Sequence, residues 1–284
     1  MEPGTAIGTG LALFASKDLI VKILGPTADY LGVKIRIWSE RGVDNLERIF
    51  KSAERRLGDK IEEPGQVPPK IVKEILNHGP FCDDELSAEY FGGVLASSRT
   101  SVSRDDRATS LLALIGRLST YQIRAHYVFY SVLKSLFDGN PIDLFHLQKR
   151  EKLQIYIPEI VFFKAMDFGN NENPNTLLPH ILSGLDRENL IGDAYASGSA
   201  DVISQFLQSR IERFSGDLAS KLINRRVKSP GITYFPSIPG IELFLWAHGL
   251  RDQPIPSFLR RETQFETLAP VVIEPGAEKG ILSV

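Results

Sequence analysis

Leu177–Ile191 reads LLPHILSGLDRENLI. Its apolar residues recur every third or fourth position and Asp186, Arg187 and Glu188 gather near its end, the pattern of a helix buried on one side. Asn175 just ahead predicts a cap for a helix over Thr176–Leu190. Downstream come a Ser/Gly break at Ser197-Gly198-Ser199 and a second amphipathic helix over about Ala200–Asn224. The basic run Arg225-Arg226-Val227-Lys228 and the turn Ser229-Pro230-Gly231 follow, then strand-like residues Ile232–Ile238. Pro239-Gly240 opens a last apolar helix through Ala247. Helix, basic loop, strand, helix is the order of a winged-helix module, with Leu177–Ile191 in the place of the recognition helix and Gly231–Ile238 in that of a wing strand. The helix over Ala200–Asn224 interrupts the usual strand–wing–strand run, so a helical domain with a small β-hairpin stands as the alternative.

Upstream the chain reads as helices punctuated by caps. Ser119 with Gln122, and Ser103 with Asp106, match the box in which side chains satisfy the free N–H groups of a helix start. They predict helices over about Arg104–Leu118 and Thr120–Phe137. Asp138-Gly139-Asn140-Pro141 is a turn, Asp143–Lys152 reads as a charged helix, Gln154–Ile157 alternates like a short strand, and Pro158 opens a helix through Met166. Further back, Pro68-Pro69 opens a helix carrying Ile71, Val72, Ile75 and Leu76 that Gly79-Pro80 stops. Asp83 is placed to cap the next helix, to about Ser97. Gly92-Gly93 in its middle costs roughly 1 kcal/mol per glycine against alanine, which predicts another backbone close by. From Ala28 to Leu57 an apolar stripe runs with a break near Gly42, and Gly58 stands where a left-handed C-terminal residue belongs.

The fold class expected is therefore mainly α: a helical N-terminal module followed by a winged-helix-like α+β C-terminal module. The boundaries read as residues 1–100, 101–260 and, where the chain past Gly249 thins into prolines, a C-terminal arm or tail at 261–284. Composition agrees with a folded chain: 43% hydrophobic and 24% charged over 284 residues. Lys and Arg total 33 against 35 Asp and Glu, so the broad basic excess that supplies non-specific affinity for nucleic acid is missing. One cysteine, Cys82, allows no internal disulfide and fits a cytoplasmic protein. The five histidines are scattered, and nothing in their spacing asks for a metal or a cofactor. Ala6–Leu24 is apolar, but Lys17, Asp18 and Lys22 interrupt it and Glu2 precedes it. It reads as a helix packed on the protein, not a signal peptide or a membrane span.

No P-loop, nucleophile elbow or zincin motif is legible, and no catalytic residue is assigned. The cluster Arg99, Ser103, Arg104, Asp105, Asp106, Arg107 reads as capping and ion pairing at a helix start. The alternative is that Arg99, Arg104, Asp105, Asp106 and Arg107 form a partner-binding surface. If the C-terminal module binds DNA, Arg187 on the helix and Arg225, Arg226 and Lys228 in the wing would contact phosphates, though Asp186 and Glu188 flank Arg187.

Several segments carry a family likeness: Gly25-Pro26-Thr27 with Tyr30-Leu31-Gly32, Val67-Pro68-Pro69-Lys70, and Glu85-Leu86 followed by Val94-Leu95-Ala96. Gly231-Ile232-Thr233-Tyr234 and Pro239-Gly240-Ile241-Glu242-Leu243 close the series. In this order they resemble the Abi-alpha family, bacterial proteins linked by context to abortive phage infection; the family's Trp in the third segment is replaced around Tyr90-Phe91. The resemblance implies a helical, defence-associated protein and supplies no catalytic residue. The function expected is a non-enzymatic interaction or sensor component of such a system, with a protein partner, or a second copy of itself, as its binding target. A winged-helix DNA-binding regulator is the first alternative, and an effector acting on membranes through residues 6–24 the second.

Overall fold

The computed structural model describes residues 17–25, 40–102, 104–140, 142–211, 227–270 and 282–283. Elements are numbered in chain order over these residues. The first helices are α1 (Lys17–Leu24), α2 (Glu40–Leu57), α3 (Pro69–His78), α4 (Glu85–Ser98), α5 (Ala108–Arg117) and α6 (Thr120–Phe137). After the single turn α7 (Leu147–Arg150) come β1 (Ile155–Pro158), α8 (Glu159–Met166) and α9 (Pro174–Arg187). The chain continues through β2 (Ala196–Gly198), α10 (Ala200–Ile211), β3 (Gly231–Tyr234), α11 (Ile238–Ala247) and β4 (Leu282–Ser283). The fold is mainly helical with one small antiparallel sheet.

Local chemistry sets many of these boundaries. Pro69 occupies the first turn of α3, where no N–H is needed. Ser119 and Gln122 exchange bonds at the start of α6: the Gln122 N–H donates to Ser119 Oγ at 3.3 Å, and the Ser119 N–H to Gln122 Oε1 at 3.0 Å. Gly58 ends α2 with φ +50. Other boundaries differ from expectation. Asp84, not Asp83, caps α4, accepting from the Ser87 N–H at 2.8 Å, while Asp83 accepts from Asn45 Nδ2 at 2.9 Å. Asn173 caps α9, because Pro174 takes the first helical position ahead of Asn175. In its described part α2 passes Gly42 unbroken. The expected helix over Asp143–Lys152 contracts to α7, and α5 starts at Ala108, later than the expected Arg104. Ser103 and the far part of the helix expected to Asn224 lie outside the described residues.

The chain forms two compact units. The first takes its described residues from Met1–Ile123, Leu243–Gln253 and Phe265–Leu268. In it α2 crosses α4 where Gly92 faces Ser52: a methyl at Gly92 would fall 2.8 Å from the Ile49 carbonyl oxygen. Gly93 admits the end of α11, since a methyl there would fall 1.7 Å from the Ala247 carbonyl oxygen. The glycine pair is thus explained by close helix packing. Past α11, Gly249 (φ +78) and Leu250 return their N–H groups to the Trp246 and Leu245 carbonyls at 3.0 and 2.9 Å, the bond pattern of a Schellman turn. Leu46, Ile49, Ile71, Ile75, Val94 and Leu95 fill the core of this unit.

The second unit takes its described residues from Arg124–Glu242, Pro254–Gln264 and Ala269–Val284. Its strands lie in the order β2-β3-β1, all antiparallel, with the two-residue β4 on the outer side of β1. Register is set by Ile155 opposite Tyr234 and Ile157 opposite Ile232. Behind the sheet Phe129 stacks on Tyr234 at 4.1 Å and on Phe162 at 5.5 Å, and the Tyr234 hydroxyl donates to the Phe129 carbonyl at 2.7 Å. Helix α10 packs Ile203 and Leu207 against Tyr156 and Val227. The stretch after Gly249 does not trail as its prolines suggested: Phe258 and Leu259 are fully buried, and the Gly139 N–H donates to the Leu259 carbonyl.

Candidate functional site

The polar residues at the start of α5 are engaged with their own unit. Arg107 grips Asp105 with two bonds, Nε to Oδ1 at 2.8 Å and Nη2 to Oδ2 at 3.0 Å, and its guanidinium lies 5.4 Å from the Trp246 ring centre. Asp105 also takes Arg251 at 3.4 Å. The hydrogen bonds and charge of Arg107, against the pull of burial, hold the Asp105 carboxyl below its ordinary range. Asp106 pairs with Lys70 at 2.7 Å, and Arg104 is exposed. Arg99 stands apart from this group. Its guanidinium donates to the carbonyls of Lys22, Lys60, Ile61 and Glu63, tying the end of α1 and the turn after α2 to the end of α4.

Beside Arg99 lies a recess of about 260 Å³, reached from the ends of α2 and α4 and from the turn after α11. Arg56, Lys60, Arg99 and Arg251 line it, with Glu63 and Asp252 as its carboxylates. Three segments distant in sequence supply these residues, which is why no local motif announces them. Arg56 is nearly sealed, its side chain 3% exposed. It donates from Nη1 to the Ser52 carbonyl at 2.9 Å and from Nη2 to Glu89 at 2.6 Å. Glu89 also receives Ser52 and Arg55; burial opposes its ionisation, but these bonds and the Arg56 charge hold it below the ordinary carboxylate range.

Cys82 lies by a second recess, of about 160 Å³, with His78 and Phe91. Burial, with Asp84 adding to it, pushes its thiol up to about 12, the opposite of a reactive cysteine. Among the described residues no group of three His, Cys, Asp or Glu side chains converges on a metal position. Nor is any described helix long and apolar enough to cross a membrane. Of the apolar N-terminal stretch, α1 buries Leu19, Ile20, Ile23 and Leu24; residues 6–16 lie outside the described part.

In the second unit, α9 buries Leu178, Ile181, Leu182 and Leu185 and turns Asn175, Thr176, Pro179, His180, Ser183 and Arg187 outward. Arg187 Nε stands 3.7 Å from the carboxylate of Glu188. Lys228 is exposed just ahead of β3, whereas Arg225 and Arg226 lie outside the described residues. Helix α8 buries Phe162, Ala165 and Met166 but leaves Ile160 78% exposed, and Phe163 sits edge-on to Phe168 at 5.8 Å. A cleft of about 970 Å³ runs between Gly139–Phe145 and Pro256–Glu262, with Phe145 60% exposed at its edge. No protein-family model matches the chain, and neither a curated protein nor a solved structure matches it.

Proposed function

We propose that this chain is an interaction component of a bacterial phage-defence system of the abortive-infection type, and that its second unit is a winged-helix module that docks a protein partner. The defence context rests on the Abi-alpha resemblance of the segments between Gly25 and Leu243. Support for the module comes from the element order α6, β1, α8, α9, β2, β3 and the strand order β2-β3-β1. In a winged helix the last strand likewise lies between the other two. The interrupting helix, α10, then sits within the wing, between two strands that still pair: Ser197 opposite Ile232.

The observation that carries a protein partner over DNA is the outward face of α9. Duplex recognition begins with cations and donors on phosphates, and this face offers one cation, Arg187, held beside Glu188. The exposed Ile160 on α8 has no use against a phosphate backbone, whereas an exposed apolar side chain suits the core of a protein interface. The test is the efficiency of plating on a host carrying or lacking the gene, joined to affinity capture from infected cells. Protection that depends on the gene, and a stable partner lost on Ile160→Glu, are expected. Equal plaque counts on both hosts, with no stable partner captured, would end this reading.

A DNA-binding regulator is the second reading, favoured by exposed Lys228 ahead of β3 with Arg225-Arg226 preceding it in the chain. It requires binding to duplex fragments that weakens steeply with salt and on removal of charge at Arg225, Arg226 and Lys228. Flat fluorescence anisotropy at low salt disposes of it.

A further inference from the structure

We infer that the recess at the ends of α2 and α4 is a binding site for a small phosphorylated ligand, with Arg56, Lys60 and Arg251 supplying the charge. This stands apart from the reading of the second unit, since every residue of the recess belongs to the first.

Four cations and two carboxylates share one recess of about 260 Å³, so an anion entering it meets a surplus of positive charge. The volume fits a phosphate group with a small organic body and excludes a macromolecule. The walls supply neutral donors as well, from Ser97, Thr100 and Ser101. A tetrahedral dianion surrounded by guanidinium and hydroxyl donors is matched better than a single carboxylate, because phosphate offers acceptors in several directions at once.

The state of the arginines points the same way. Arg56 is almost wholly buried, both its terminal nitrogens are engaged, and its Nε is sealed from solvent without an acceptor. Held this way, Arg56 cannot turn aside, and its charge stays fixed at the wall of the recess. Arg251 is aimed by its surroundings. The Schellman turn at Gly249 brings the chain back past Arg56, whose Cβ would lie 3.3 Å from a methyl at that glycine. Asp105 then takes Nη1 at 3.4 Å and Asp252 takes Nε at 3.1 Å, leaving Nη2 for an incoming oxygen. Arg99 is largely spent on backbone carbonyls and contributes field more than bonds.

The experiment is calorimetric titration of the full chain with inorganic phosphate and with pyrophosphate, in buffers whose ionic strength is matched with sodium chloride. The variants are Ser101→Asp and Lys60→Gln, both at exposed positions, with Lys152→Gln, exposed in the second unit, as the control outside the recess. Circular dichroism checks that each variant is folded. Expected are saturable binding at one site, at least tenfold weaker in Ser101→Asp, several-fold weaker in Lys60→Gln, and unchanged in Lys152→Gln. Heats no larger than those of chloride, or phosphate affinity equal in Ser101→Asp and the parent chain, would overturn the assignment.

Discussion

Replacing Gly93 by alanine is the sharpest test of how the first unit is packed. The added methyl would lie 1.7 Å from the Ala247 carbonyl oxygen and 2.3 Å from its carbonyl carbon, against the roughly 3.5 Å of an ordinary carbon contact. Both obstacles are backbone, so no side chain can swing aside, and α4 and the end of α11 must part by about 1.5 Å or more. Overpacking of this kind costs about 1–3 kcal/mol. The same parting strains the bond from Ser97 Oγ to the Trp246 carbonyl, 3.0 Å long, which is about 1 kcal/mol more. Alanine's better helix propensity returns about 1 kcal/mol. The net loss is about 2 kcal/mol, or about 4–8 °C in Tm at the usual slope for a chain of this size. Gly58→Ala is the control: nothing lies within 4 Å of its added methyl, so its cost is only the left-handed φ, about 1–2 kcal/mol. Thermal melts followed by circular dichroism decide the matter. A Gly93→Ala protein melting at or above the parent would mean that propensity alone is at work, and that the two helices do not meet at this glycine.

Other outcomes follow from single groups. His248 is packed between Phe244 and Phe265, and burial lowers it from 6.5 to about 4. The unfolded chain therefore takes up a proton between these values that the native state refuses. Stability is full above about pH 6.5 and falls toward pH 4 by about 3 kcal/mol from this group; in urea titrations across that window His248→Phe should fall less, and parallel curves would refute the assignment. Ser119→Ala removes an acceptor from the first turn of α6 and should cost about 1 kcal/mol, with Ser119→Asp retaining most of it; an unchanged urea midpoint in the alanine variant would deny the cap. Cys82, raised to about 12 and 7% exposed, should react with a thiol reagent at pH 8 far more slowly in the folded chain than in urea, and equal rates would show the thiol to be open.

Much of the helical frame was legible because its signals are local. A proline at a first turn, the Ser119–Gln122 exchange and the left-handed Gly58 each act within a few residues. The glycine pair at Gly92-Gly93 told of a close neighbour but could not say which, since Ser52 and Ala247 are far off in sequence. The strand β2 was hidden for a different reason. Ala196-Ser197-Gly198 has no β-branched or aromatic residue, and it is extended because Ile232 and Thr233 offer it a ladder. The segment after Gly249 misled through its prolines, while Phe258 and Leu259 find their cover elsewhere in the second unit. The recess lined by Arg56, Lys60, Arg99 and Arg251 is invisible to any motif, being assembled from three stretches. Arg99 was singled out for its charged neighbours, yet the carbonyls it binds belong to residues that only folding brings near.

A protein partner of the second unit would meet the faces of α8 and α9. The most direct measurement is efficiency of plating on hosts expressing the parent chain, Ile160→Glu or Ser183→Glu at equal levels, with both variants shown to be folded. Each substitution places a charge on a solvent-facing position of a helix, so the fold is retained while an apolar interface is not. The prediction is that parent cells resist phage and both variants plate like the deletion. Full protection by both variants would contradict the proposed docking face.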